Sequence, residues 1–171
     1  KDENPNRKKL LFSLALKDAK DLKASVLEDH LDCEQGDLPE EIFRKDLLCP
    51  RIFLEELTPY RSMIREFFEE ETKHSFAEQP ERILDYLKKN ITFHAEEEYD
   101  TIMATPVGVL TMKQGSPLAQ KILFVAICRS LNVAARLNPV TLEPEYYHNG
   151  AFHSVETEAA VLEEETESAV L

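Results

Sequence analysis

From Ser116 to Arg136 the chain is mostly apolar, unbroken from Ile122 to Cys128, whereas elsewhere polar and apolar positions alternate. Leu118, Ile122, Phe124, Val125 and Ile127 recur too densely for a one-sided helix, so this segment predicts a central helix with neighbours on several sides. Ser116 is placed to cap it, and Pro117 takes its first position, where a backbone N–H has no intrahelical partner to lose. Residues 133–137 then read as a strand. Glu145-Tyr146-Tyr147 and residues 151–155 predict two more, joined by His148-Asn149-Gly150, since Asn-Gly is a strong hairpin signal.

Upstream, the spacing of Leu10, Leu14, Leu22, Val26 and Leu27 predicts a helix over 8–32. Gln35-Gly36-Asp37 breaks it, and Asp37 is expected to cap a helix over 39–48 that Pro50 ends. A helical pattern over 51–73 breaks at Thr58-Pro59, with Tyr60, Ile64, Phe67 and Phe68 as its apolar face. Another helix follows Pro80, turning Ile83, Leu84 and Leu87 inward. Residues 91–94 alternate like a short strand, 95–101 form an acidic loop, and Thr105-Pro106 starts a brief helix to about residue 113. The tail from Thr157, rich in Glu and Ala, reads either as a fraying helix or as a disordered end.

Helices first and strands last predict an α+β fold with a C-terminal antiparallel sheet. The length of 171 residues allows one sizeable core. Three regions are expected: an N-terminal helical segment over 1–36, a core over 37–155 and an acidic tail over 156–171. The formal net charge of −13 argues against a nucleic-acid partner, which would need a basic face. Part of that charge sits in three Glu triplets, read as solvated faces and loops. No apolar run is long enough to span a membrane. The polar opening residues show no signal peptide and read as a trimmed or mature end. Cys33, Cys49 and Cys128 show no CxxC spacing; Cys33 and Cys49 pair only if the compartment is oxidising.

The central segment, with Phe124 through Arg136, the run Thr105-Pro106-Val107-Gly108-Val109 to Gly115 and the hairpin ending in Phe152, resembles the transglutaminase-like superfamily of papain-related fold. Together with Pro39-Glu40-Glu41-Ile42-Phe43, it is similar in particular to such domains of secreted bacterial proteins. The resemblance covers about residues 37–155. It implies a nucleophilic cysteine at the N-terminus of the central helix, a histidine on a following strand and an acidic residue one strand later. It also implies a secreted or periplasmic location and a longer, multidomain parent chain.

In this sequence Pro117 occupies the cysteine position, a residue near Leu142 the histidine position and a residue near Glu156 the acidic one. Proline carries no nucleophile, and leucine cannot carry a proton. The substitutes nearest to hand are Ser116, with His148 or His153 as base and Glu156 as orienting acid. Ser116 equally reads as a helix cap, His148 as a turn residue and His153 as an exposed strand position. Cys128, three turns into an apolar helix, reads as a core residue whose burial keeps the thiol protonated. Arg129 and Arg136 are expected to pair with carboxylates. A metal set of Glu145, His148, His153 and Glu156 matches no known ligand spacing, so no metal and no cofactor are expected.

The expectation is therefore a non-catalytic domain that binds a peptide or glycan, or positions adjacent domains. Its ligand-binding candidates are Gly115, Ser116, Tyr146, Tyr147 and Phe152, because aromatic rings on a sheet offer contact area at low entropic cost. Strand alternation puts Tyr146 and Tyr147 on opposite faces, only one of them inward. The alternative is an active acyl transferase or hydrolase using a serine or thiol.

Overall fold

The computed structural model describes residues 4–93 and 105–156. Its architecture is α+β, with the sheet at the C-terminal end of the chain. The acidic loop 95–101, His94 and the tail from Thr157 lie outside the described residues.

The N-terminal helical pattern is broken into α1 (Asn6–Ser13), α2 (Leu16–Asp21) and α3 (Ala24–Leu31). This departs from the single helix expected over 8–32. Leu14 and Leu22 take extended backbone at the two breaks, and both then pack on a common core with Leu27. Tertiary packing outweighs helical periodicity here.

Asp37 does not cap the next helix. Gly36 adopts a φ of +54°, the Gln35–Leu38 turn closes on itself, and α4 (Glu40–Ile42) begins after Pro39 without a side-chain cap. It continues as a π-helical segment, Phe43–Leu48, which buries Phe43, Leu47 and Leu48.

Residues 51–59 are not helical as expected. The buried Glu55 carboxylate accepts from the backbone N–H of Ile52 at 2.8 Å and Phe53 at 2.7 Å, satisfying donors that a helix would otherwise use. Pro59 ends as the cap of α5 (Tyr60–Phe67) instead of its first residue. Tyr60, Ile64 and Phe68 point inward, but Phe67 is exposed. After α6 (Glu70–Glu78) and α7 (Glu81–Asn90), β1 (Thr92–Phe93) pairs in parallel with β2 (Gln114–Gly115). Between them α8 (Pro106–Met112) starts at Thr105, whose side chain accepts from Gly108 N–H.

The centre of the molecule is α9 (Pro117–Ser130). Its residues from Ile122 to Ile127 are all buried, although Leu118 is only half-buried. Around it pack α5, α7, α8 and one face of a three-stranded antiparallel sheet, β3 (Ala135–Leu137), β4 (Pro144–His148) and β5 (Ala151–Ser154). The β4–β5 hairpin turns through Asn149 and Gly150 with φ of +49° and +82°, the left-handed pair that a tight two-residue turn demands.

A second apolar core lies between the N-terminal helices, the π-helical segment and the opposite side of the sheet, where Ala134 and Tyr147 join Leu10, Leu31 and Phe43. The sheet is thus covered on both faces along β3 and β4, while β5 is largely exposed. Tyr146 packs in the α9 core and Tyr147 in the N-terminal one, so alternation sends both rings inward, toward different cores.

Candidate functional site

The N-terminal mouth of α9 is assembled from two directions. Gly115 leads in from β2 and is buried, and a Cβ there would come within 3.0 Å of the Val109 side chain, so only glycine fits without displacement. Ser116 Oγ accepts from Ala119 N–H at 3.1 Å. Pro117 follows as the first helical residue. The hydroxyl is therefore engaged as a cap, and Pro117 contributes no N–H to the mouth.

The β3–β4 loop forms a second wall. Asn138 closes it: its side-chain oxygen accepts from Val140 and Thr141 N–H, and its carbonyl accepts from Leu142 N–H. Leu142 itself sits at a φ of +58°, and its neighbour Glu143 pairs with Lys121 of α9 at 2.7 Å. This contact ties residue 142 to the first turns of the helix. Beyond β5, Val155 N–H bonds Pro144 carbonyl at 2.9 Å, placing exposed Glu156 beside the start of β4. The residues near Leu142 and near Glu156, to which the resemblance assigns a base and an acid, thus both lie beside the start of β4, which Glu143 ties to Lys121 of α9. With Pro117 at the nucleophile position, the three hold proline, leucine and glutamate.

The candidate histidines lie elsewhere. β4 runs beside α9 in the same direction: Glu143 meets Lys121, and Tyr146 lies near enough to Cys128 for the two groups to affect each other electrostatically. Cys128 is about 16 Å along the helix from Pro117 at 1.5 Å per residue. His153 pairs across the sheet with Tyr146 and stacks on its ring, 5.5 Å between centroids. Its Nε2 lies 3.0 Å from the His148 carbonyl, and His148 is further on, at the hairpin end. Ser116 and these imidazoles are separated by most of the helix. Of the metal set, the His148 and His153 rings lie 6.1 Å apart between centroids, but Glu145 is already bound by Arg136 at 2.6 Å and Asn138 at 3.3 Å. Among the described residues no group of three metal-ligating side chains converges.

The aromatic candidates divide. Tyr146 is buried, its hydroxyl donating to the Glu81 carboxylate; burial first, and then that carboxylate, push its pKa up to about 12. Tyr147 is half-buried and meets Phe152 edge-on at 5.3 Å. Phe152 is half-buried too, with the Arg136 guanidinium 3.8 Å over its ring. Phe152, Tyr147 and Arg136 form one aromatic and cationic patch, which Gly115 and Ser116 do not join.

All three cysteines are free and buried. Cys33 Sγ faces the His30 carbonyl and Cys49 Sγ the Ser13 carbonyl, so each thiol has a backbone partner of its own. Burial pushes the Cys128 thiol well above its ordinary range. Arg136 pairs with a carboxylate as expected, but Arg129 does not. Its buried guanidinium donates to the carbonyls of Ala135, Cys49 and Arg51 instead.

The sequence pattern also leaves Gln120 unremarked. It is 1% exposed, and neither carboxamide atom has a hydrogen-bond partner. It shares a helix face with Ser116, four residues back, and helical side chains lean toward the N-terminus.

A family model, the transglutaminase-like superfamily, matches residues 61–157, more than half of the chain. No curated protein and no solved structure matches.

Proposed function

Because the chain belongs to the transglutaminase-like superfamily, we propose that it is a non-catalytic member, a domain that binds a peptide or glycan or positions neighbouring domains. One observation carries this reading: at the mouth of α9 the Ser116 hydroxyl is spent on Ala119 N–H beside Pro117, with both candidate imidazoles toward the far end of the helix. A serine needs an adjacent base to attack at neutral pH. The Phe152–Tyr147–Arg136 patch is the surface offered to a ligand, since an aromatic ring under a guanidinium suits either an amide or a sugar face. The likeness to secreted bacterial proteins extends the proposal to an exported, multidomain parent chain.

The test is incubation with a fluorescent amine and a glutamine-rich acceptor protein. Labelling is expected to stay at the level of the protein-free control, and measurable cross-linking would overturn the reading. Peptide and glycan arrays then probe the patch, with Phe152→Ala expected to abolish retention.

A further inference from the structure

We propose that His30 and Arg61 form an acid-released latch joining the N-terminal helical layer to the core built on α9. Both side chains are fully buried. Arg61 Nε donates to His30 Nδ1 at 2.7 Å, and His30 Nε2 lies 3.0 Å from the Thr58 carbonyl. A guanidinium N–H only donates and a carbonyl only accepts, so the imidazole is neutral with its proton on Nε2. The rest of the Arg61 fork spans the interface: it donates to the carbonyls of Leu47 and Leu48 in the π-helical segment and to the Arg129 carbonyl of α9 at 2.9 Å. One guanidinium therefore touches α3, the π-helical segment and α9 at once.

A second proton on His30 has one place to go, Nδ1, which already faces an N–H of a cation. No group around the ring would welcome it. From α5 come Arg61 and Arg65, and from α9 Arg129, all positive. The 58–60 side presents a carbonyl and the edge of the Tyr60 ring, 4.6 Å between centroids. The π-helical segment presents carbonyls that Arg61 occupies. On the His30 side, Asp29 is held by the backbone N–H groups of Arg61 and Ser62, Asp32 is held by Arg65, and Cys33 is a buried thiol. Burial and, next, Arg61 hold the imidazole far below its usual range, at about 2.

The docked layer thus cannot accept a proton that an undocked α3 takes up readily. The folded pKa is depressed, so docking is at full strength above the ordinary histidine pKa of about 6.5 and weakens as pH falls below it. The undocked population grows roughly tenfold per pH unit, reaching about thirtyfold at pH 5 relative to pH 8.

Hydrogen exchange on the whole chain, corrected for intrinsic rates, reads this directly. Protection of α3 and the π-helical segment is expected to drop about thirtyfold from pH 8 to pH 5, with α9, which exchanges only through unfolding that also frees His30, falling in step while staying better protected at every pH. His30→Gln, whose carboxamide can accept from Arg61 and donate to Thr58 without titrating, should flatten the slope. An equal slope in that variant, or an α3 no less protected than α9 in the unaltered protein, would overturn the latch. Should the variant not fold, NMR of labelled histidine in the unaltered chain decides. A His30 signal that titrates only as α3 opens supports the latch; one titrating near pH 6.5 with α3 still protected refutes it.

Discussion

At its N-terminal end α9 meets Ser116, Pro117 and the Leu142 loop; at its C-terminal end it meets two buried guanidinium groups and an imidazole. The first end is where the superfamily would place its nucleophile, and its polar groups are few and local: a cap, a Lys121–Glu143 pair and an unpartnered Gln120. The second end is dense with titratable groups, yet these are tied to backbone carbonyls and to one another. Arg129 gathers Cys49 and Arg51 carbonyls, Arg61 gathers those of Leu47, Leu48 and Arg129. A perturbed, buried group thus marks in this fold a place where chain segments are joined. Perturbation points to chemistry only when a reactive atom has somewhere to act.

Substitutions at either end sharpen that contrast. The largest effect is expected from Arg61→Leu, which takes the guanidinium donor from the Leu47 and Leu48 carbonyls and His30 Nδ1, and one of the donors from the Arg129 carbonyl. Each buried orphan costs about 1–3 kcal/mol, so a loss of roughly 4 kcal/mol is expected in urea unfolding. A loss under about 1 kcal/mol would mean that water replaces the guanidinium and that the C-terminal end is no junction. At the other end, Gln120→Met keeps the length of the side chain and removes the unbonded amide. It should stabilise by about 2 kcal/mol, read from the same urea midpoint. Destabilisation instead would reveal a partner for that amide and make the mouth a polar site. Smallest is Ser116→Ala, expected to cost about 1 kcal/mol as a lost cap, with Ser116→Asp restoring it. If Ser116→Ala instead altered amine labelling, the mouth would no longer be chemically idle.

Much of α9 was legible in advance. Ser116 as cap, Pro117 as first residue and the apolar run behind them follow from local rules that tertiary contacts do not alter. The hairpin through Asn149 and Gly150 was legible for the same reason, as few residue pairs tolerate two positive φ angles. The N-terminal layer was not. Its periodicity points to long helices, but Leu14 and Leu22 take extended backbone, and Glu55 satisfies amides that a helix would need. Nothing local announces that a carboxylate will fold back on its own segment, or that Asp37 will be left exposed by the turn over Gln35–Leu38. At the candidate site the residue identities came from the chain alone, and the separation of Ser116 from His148 and His153 did not, since it depends on how β4 lies along α9.

By itself the sequence determined what atoms are available: an imino acid and no thiol at the head of the helix, and a surplus of carboxylates. Only the tertiary structure decided which groups meet. Hydrogen bonds such as Arg61 to Arg129 join residues 68 positions apart. Contacts of that span are fixed by packing, once burial has stripped the water that would otherwise satisfy each group alone.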